Sequence, residues 1–186
     1  MTEDTAFARK IRPYMESGAL VPDELTCAIV EERLAGLDCD SGYVLDGFPR
    51  SLAQAETLDL LLEKRGERLD AAICLVVPDD EIVARLSARR TCPVCGTIYN
   101  LKFDPPKGDP ARCARNGCAG VLVQRPDDNE ETIRQRLVVY HQMTEPIEAF
   151  YQERGLLKPV PGDIAPDDVS AKIEEILCAL EMVQEP

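Results

Sequence analysis

Four of the eight cysteines are grouped as Cys92-x2-Cys95 and, 17 residues further on, Cys113-x4-Cys118. Thiolates are metal ligands, and two close pairs separated by a hairpin-length loop suit a tetrahedral Cys₄ zinc site. Gly96 lets the first pair close as a tight knuckle, and Gly117 absorbs the wider second spacing. Four thiolates leave no open coordination position, so such a metal is structural. An insert of about 35 residues buries little core of its own, and a metal would supply its rigidity. The bland alternative is four unliganded thiols in a loop. Cys27, Cys39, Cys74 and Cys178 are unclustered and read mostly as small buried hydrophobes.

The second group is made of arginines and carboxylates. Asp46-Gly47-Phe48-Pro49-Arg50 follows the apolar run Tyr43-Val44-Leu45, which puts an Asp and an Arg just past the carboxyl end of an expected strand. Open α/β sheets bind ligands at that end. A carboxylate there holds magnesium through water, and an Arg grips a phosphoryl group. Arg85 and Arg89 are four apart and share a helix face. Arg125, Asp127, Asp128, Arg134 and Arg136 follow the cysteine module. From Arg85 to Arg136 the chain carries eight Arg and two Lys against six acidic residues, a local positive excess in a molecule of net charge −13. By counting alone this is either a mixed-charge surface or a phosphate grip. Arginine clusters on both sides of the cysteine insert favour a hinged flap over a polyphosphate.

The elements that must position these groups follow from periodicity. Residues 5–17 have helical spacing with Pro13 as a kink, and Val21-Pro22-Asp23-Glu24 starts a helix with Leu25, Ile29, Val30 and Leu34 on one face. Residues 43–45 and 71–77 read as buried parallel strands, each followed by a helix, over 51–65 and 79–90. From Asn129 the pattern is helical with Pro146 as a kink. A short strand near 156–160 precedes a helix with Val169, Ile173, Ile176, Leu177 and Leu180 facing inward. This order predicts an α/β fold with one small insert, and 186 residues suffice for one core plus that module. The acidity argues against a general nucleic-acid or anionic-membrane binder. No apolar run approaches the ~20 residues that cross a bilayer. Met1-Thr2-Glu3-Asp4 lacks the basic-then-apolar signal-peptide pattern, so a cytoplasmic location is expected.

Taken together, Asp46-Gly47-Phe48-Pro49-Arg50-Ser51-x-x-Gln54, the Arg85/Arg89 helix, the Cys₄ insert and Arg125-Pro126-Asp127-Asp128-Asn129-Glu130 running on to Arg136 resemble adenylate kinase. The likeness is to the bacterial form with a long, zinc-bearing lid, and it spans nearly the whole chain. It implies a three-layer nucleoside monophosphate kinase core of the P-loop type with a parallel sheet, and a zinc-ribbon-like lid. The implied division is 1–21 as part of the AMP-binding region, 22–88 as core, 89–128 as lid and 129–186 as core. It further implies a monomer converting Mg·ATP and AMP into two ADP. Ala19, Leu20 and Val21 would line the AMP site, Gly47 and Arg50 would hold AMP, and Gln54 would read the adenine edge. Arg85 would stack on the ATP base and Arg89 would hold its phosphates. Ile98, Tyr99 and the backbone near Ile164 would contact ATP. Arg125 and Arg136 would reach the phosphates between the nucleotides, and Asp46, Asp127 and Asp128 would serve magnesium and lid closure. The catalytic set is Arg50, Arg89, Arg125 and Arg136.

Plainer roles stand beside these. Ser51-x-x-Gln54 is also a capping box, residues 128–131 an acidic first turn, Arg134 a surface charge, and His141 a structural residue. The chain carries no Gly-x-x-x-x-Gly-Lys-[Ser/Thr] loop, which in the family precedes the segment matching residues 5–21. The expectation is that the sequence starts at an internal Met or comes from a truncated gene. The family's first strand would lie between 43–45 and 71–77, and each unpaired buried amide left behind costs ~1–3 kcal/mol unless those two strands pair directly. Two rival functions follow: a catalytically silent relative that binds nucleotide and zinc, and a zinc-ribbon nucleic-acid adaptor, which the net charge disfavours.

Overall fold

The computed structural model describes residues 21–39 and 41–184. The expected helix over 5–17 and the positions Ala19 and Leu20 lie outside the described residues. The chain divides into two compact units, Met1–Ala72 with Met143–Leu156 and Ile73–Gln142 with Leu157–Pro186.

In the first unit, α1 (Asp23–Leu34) begins right after Pro22, and Asp23 and Glu24 complement its amino-terminal dipole. A 3₁₀ turn, Leu37–Cys39, follows. Helix α2 (Leu52–Arg65) is capped by Ser51 and stopped by Gly66 in the left-handed conformation. Leu34, Cys39, Leu58 and Leu62 form its core, with Val30, Tyr43, Leu45, Phe48, Leu61 and Leu69 packed around them. The expected kink at Pro146 is a break. A helix ending at Met143 gives way to α5 (Pro146–Glu153), with Pro at its first position and Ile147, Phe150 and Tyr151 buried.

The expected strand at 43–45 is not formed. Tyr43 and Leu45 turn toward the α1–α2 core while Val44 is 89% exposed. Three apolar residues make a strand only where a neighbour supplies ladder bonds, and residues 43–45 have none among the described residues.

In the second unit, β1 (Ala72–Val76) pairs with β4 (Leu157–Pro161). Ala72 N–H donates to the Leu156 carbonyl and Gly162 N–H to the Val76 carbonyl, so both strands climb together and the pair is parallel. The expected full burial of β1 is corrected: Leu75 is 51% and Val76 54% exposed. Among the described residues β4 is its one ladder partner, so the strand sits at an edge. Helix α3 (Asp79–Ser87) follows, shorter than expected because the chain passes directly into β2 (Arg89–Thr91), antiparallel to β3 (Ile98–Asn100). Bridges Thr91–Val123 and Arg112–Val121 close the cysteine insert. A 3₁₀ turn, Pro126–Asp128, leads into α4 (Glu130–Met143), and α6 (Pro166–Gln184) packs on β4. On α6, Val169, Ile173, Ile176 and Leu180 are half-buried at helical spacing, whereas Leu177 is exposed, just off that stripe.

Candidate functional site

The insert brings the four sulfurs of Cys92, Cys95, Cys113 and Cys118 within 4.8 Å of one another. Cys92 and Cys118 are 3.6 Å apart, as are Cys95 and Cys113. A Zn–S bond of ~2.3 Å gives a tetrahedral edge of ~3.8 Å, so the donor set and spacing fit a four-thiolate metal site. Gly96 and Gly117 both have positive φ, as their turns require. Gly120 is needed for a different reason, since a Cβ there would lie 2.5 Å from Cys92 Sγ. Two hydroxyls support the sulfurs: Thr97 Oγ1 lies 3.2 Å from Cys95 Sγ and the Tyr99 hydroxyl 3.4 Å from Cys113 Sγ. The Thr97 hydroxyl brings the Cys95 thiol down to about 6, and the Tyr99 hydroxyl lowers Cys113. Thr97 was not singled out from sequence, although its place in Cys95-Gly-Thr is the signal. Of the unclustered cysteines, Cys39 is buried, Cys27 and Cys74 are half-buried, and Cys178 is exposed, against expectation.

At the hinge of the insert, Arg89 meets Asp128 edge-on. Its Nε and Nη2 donate to the two carboxylate oxygens at 2.9 and 2.5 Å. Asp128 is fully buried, and its hydrogen bonds raise the Arg89 pKa further. Gln124 Nε2 spans the same hinge, donating to the Ser87 and Asp128 carbonyls. Both oxygens of Asp128 accept from Arg89. It holds one edge of the guanidinium and leaves Nη1 for an anion. Asp127 and Asp46 are exposed carboxylates. Asp127 also takes Arg136 Nη1 at 3.3 Å, while Arg125 is exposed at the turn that carries it.

Arg85, on α3, reaches the loop after β4. Its Nη1 donates to the Gly162 carbonyl at 2.7 Å and its Nε to Glu81 at 2.9 Å. Its guanidinium carbon lies 5.7 Å from the centre of the Phe103 ring, a half-exposed aromatic that sequence reasoning missed. Thus Arg85 and the backbone leading to Ile164, expected at one base site, are adjacent. Ile98 is exposed on β3, whereas the Tyr99 hydroxyl is engaged by Cys113 and the Ala114 N–H. Arg134 pairs with Glu130 and lies 3.6 Å from Asp80, and His141 lies 2.9 Å from Asp79, both on the exposed side of α4.

In the first unit, Gly47 and Arg50 are one construction. Arg50 Nε donates to the Gly47 carbonyl at 2.6 Å, and Thr144 Oγ1 holds the Arg50 carbonyl at 2.8 Å. Gly47 has φ +74°, and a Cβ there would come within 2.8 Å of Arg50 Nη2. Gln54 is buried. Its backbone N–H donates to Ser51 Oγ, its Oε1 accepts from the Arg50 N–H at 2.7 Å, and its Nε2 donates to Asp23 Oδ1 at 2.6 Å. The capping box therefore closes one residue early, on Arg50 instead of Ser51. Val21, half-buried, precedes α1 directly.

Comparison with known proteins gives one consistent result. A family model described as adenylate kinase matches residues 1–156. Over 177 residues the chain is 46% identical to an adenylate kinase of Archaeoglobus fulgidus, covering 95% of this chain and 80% of that protein. It is likewise 46% identical over 175 residues to one from Thermotoga neapolitana, covering 94% and 78%. With one from Bacillus subtilis it shares 45% over 181 residues, covering 97% and 82%.

Proposed function

The chain belongs to the adenylate kinase family, and from that premise we propose that it catalyses reversible transfer of the γ-phosphoryl group from Mg·ATP to AMP. The products are two ADP. The extent of the family match carries this reading, and the nucleotide-binding-only alternative draws no support from it. No covalent intermediate on the protein is needed. An oxygen of the AMP phosphate attacks the γ-phosphorus in line, and the bond to the β–γ bridging oxygen breaks.

The residues divide the work. Arg50, locked by the Gly47 carbonyl, holds AMP with Val21, and Gln54 reads the base; Ala19 and Leu20 belong to the same assignment. Arg85 stacks on the ATP base beside the backbone of Gly162 to Ile164. Arg89 presents its unpaired edge to the phosphates, and Arg125 and Arg136 neutralise charge that spreads over the transferring group. Ile98 and Tyr99 lie on β3 of the lid, 89–128, and contact ATP from there. Magnesium would supply charge neutralisation on the triphosphate when bound, and Asp46 and Asp127 are each assigned to serve magnesium and lid closure. Cys92, Cys95, Cys113 and Cys118 would hold a zinc ion that would keep the lid stiff, so that closure of the lid excludes water and hydrolysis loses to transfer. Among the described residues no helix is long and apolar enough to cross a membrane. A cytoplasmic monomer is part of the proposal.

The test is a coupled ADP assay on the full chain and on Arg50→Ala and Arg89→Ala. Each variant is expected to lose about a hundredfold or more in kcat. Rates equal to the unaltered chain would refute those roles.

A further inference from the structure

The carboxylate of Asp23 has no part in the scheme above, yet each of its oxygens accepts a hydrogen bond. It sits in the first turn of α1 and takes two short hydrogen bonds from the start of α2. Ser51 Oγ donates to Oδ2 and Gln54 Nε2 to Oδ1, each at 2.6 Å. Ser51 and Gln54 are both 6% exposed and Asp23 is half-buried, so these bonds are partly shielded from water, where an unmet polar group is costly.

The partners fix which way round the Gln54 amide lies. A carboxylate only accepts, and a backbone N–H only donates. Asp23 must face the NH₂ end, and the Arg50 N–H must face the oxygen. Rotating the amide by 180° would set acceptor against acceptor and donor against donor. After these two bonds the amide keeps one N–H and one oxygen lone pair, and the kind of each is fixed. That pair matches a 6-aminopurine, whose ring N1 accepts and whose 6-amino group donates. A 6-oxopurine presents the reverse, an N1–H and an O6 acceptor, and needs the rotated amide.

Resting on the reading of Gln54 as the base-contacting residue, we propose that Asp23 is a positioning residue that sets base specificity. It clamps the Gln54 amide in the orientation that accepts adenine and refuses 6-oxopurines. Ser51 is part of the device because its hydroxyl fixes the carboxylate that does the clamping.

The experiment is calorimetric titration of the full chain with AMP and with inosine monophosphate, on the unaltered protein, Asp23→Ala and Asp23→Asn. Thermal denaturation identifies any variant that is not folded. Asp23→Ala removes the acceptor and is expected to lower the preference for AMP by about three- to tenfold. Asp23→Asn retains an oxygen facing Nε2 and is expected to keep most of the preference. A clamp with only a structural role would weaken both nucleotides alike and leave the ratio unchanged. An unchanged ratio in folded Asp23→Ala, or an equal fall in both variants, overturns the inference and leaves the kinase reading standing. Failure of the unaltered chain to bind AMP at all instead overturns the reading of Gln54, and the inference with it.

Discussion

A guanidinium carries five N–H donors, and what it can do depends on how many are already spent. Two donors of Arg89 are committed to a carboxylate that water does not reach. Removing one partner of such a pair strands the other, so Asp128→Asn is expected to destabilise by about 3 kcal/mol in urea titrations. It should also lower kcat by freeing Arg89 to turn. A stability equal to the unaltered chain would mean that the pair contributes only geometry. Gly47→Ala meets both a positive φ and the Arg50 side chain, and a loss of about 1–2 kcal/mol with weaker AMP binding is expected. Tyr151 illustrates the opposite sign. Its hydroxyl is buried with no hydrogen-bond partner among the described residues, and burial pushes its pKa up to about 12. Tyr151→Phe should therefore raise stability by about 1 kcal/mol in thermal melts. From sequence, the types of these residues were visible but not their pairing. Asp128 was expected to serve magnesium and lid closure, but its bond to Arg89 was not visible, because the two lie 39 positions apart and no local pattern reports a bond of that span.

The helices were legible because each carries its own instructions. Proline and acidic residues start α1, Ser51 starts α2, Gly66 stops it, and the half-buried stripe of α6 repeats every three to four residues. Ser51→Ala should cost about 1–2 kcal/mol, since it removes the cap of α2 together with the bond to Asp23. Circular dichroism melts would show it, and an unchanged melt would mean that Gln54 caps the helix alone. Strands carry weaker instructions, because half of their hydrogen bonds belong to another segment. Residues 43–45 are apolar and have no ladder among the described residues, while 72–76 are also apolar and have β4 beside them. The cysteine knuckles were legible for the same local reason as the helices, as spacing and glycine position are both contained in a few residues. Thr97 and Gly120 were not, because their contribution is a distance to sulfur that appears only when the insert is folded.

At the scale of the molecule, stability is distributed unevenly. The first unit has a core of leucines around α1 and α2, whereas the insert between Thr91 and Val123 has two three-residue strands and four thiols. Metal is therefore expected to bind at one equivalent per chain. Its removal by a strong chelator should speed hydrogen exchange across residues 92–123 while leaving α2 protected. Uniform exchange changes, or none, would count against a structural metal in the insert. In a chain of net charge −13 the arginine-rich segment is a local positive excess, and in the proposed function it is where phosphates are held. On that proposal, nucleotide binding is expected to weaken as salt is raised. The most direct measurement is ³¹P NMR of the full chain with magnesium, ATP and AMP. The account predicts that the β-phosphorus signal of ADP grows as ATP and AMP fall together in equal amounts, with little inorganic phosphate. ATP loss that is independent of AMP, with inorganic phosphate as the product, or no conversion at all, would contradict it.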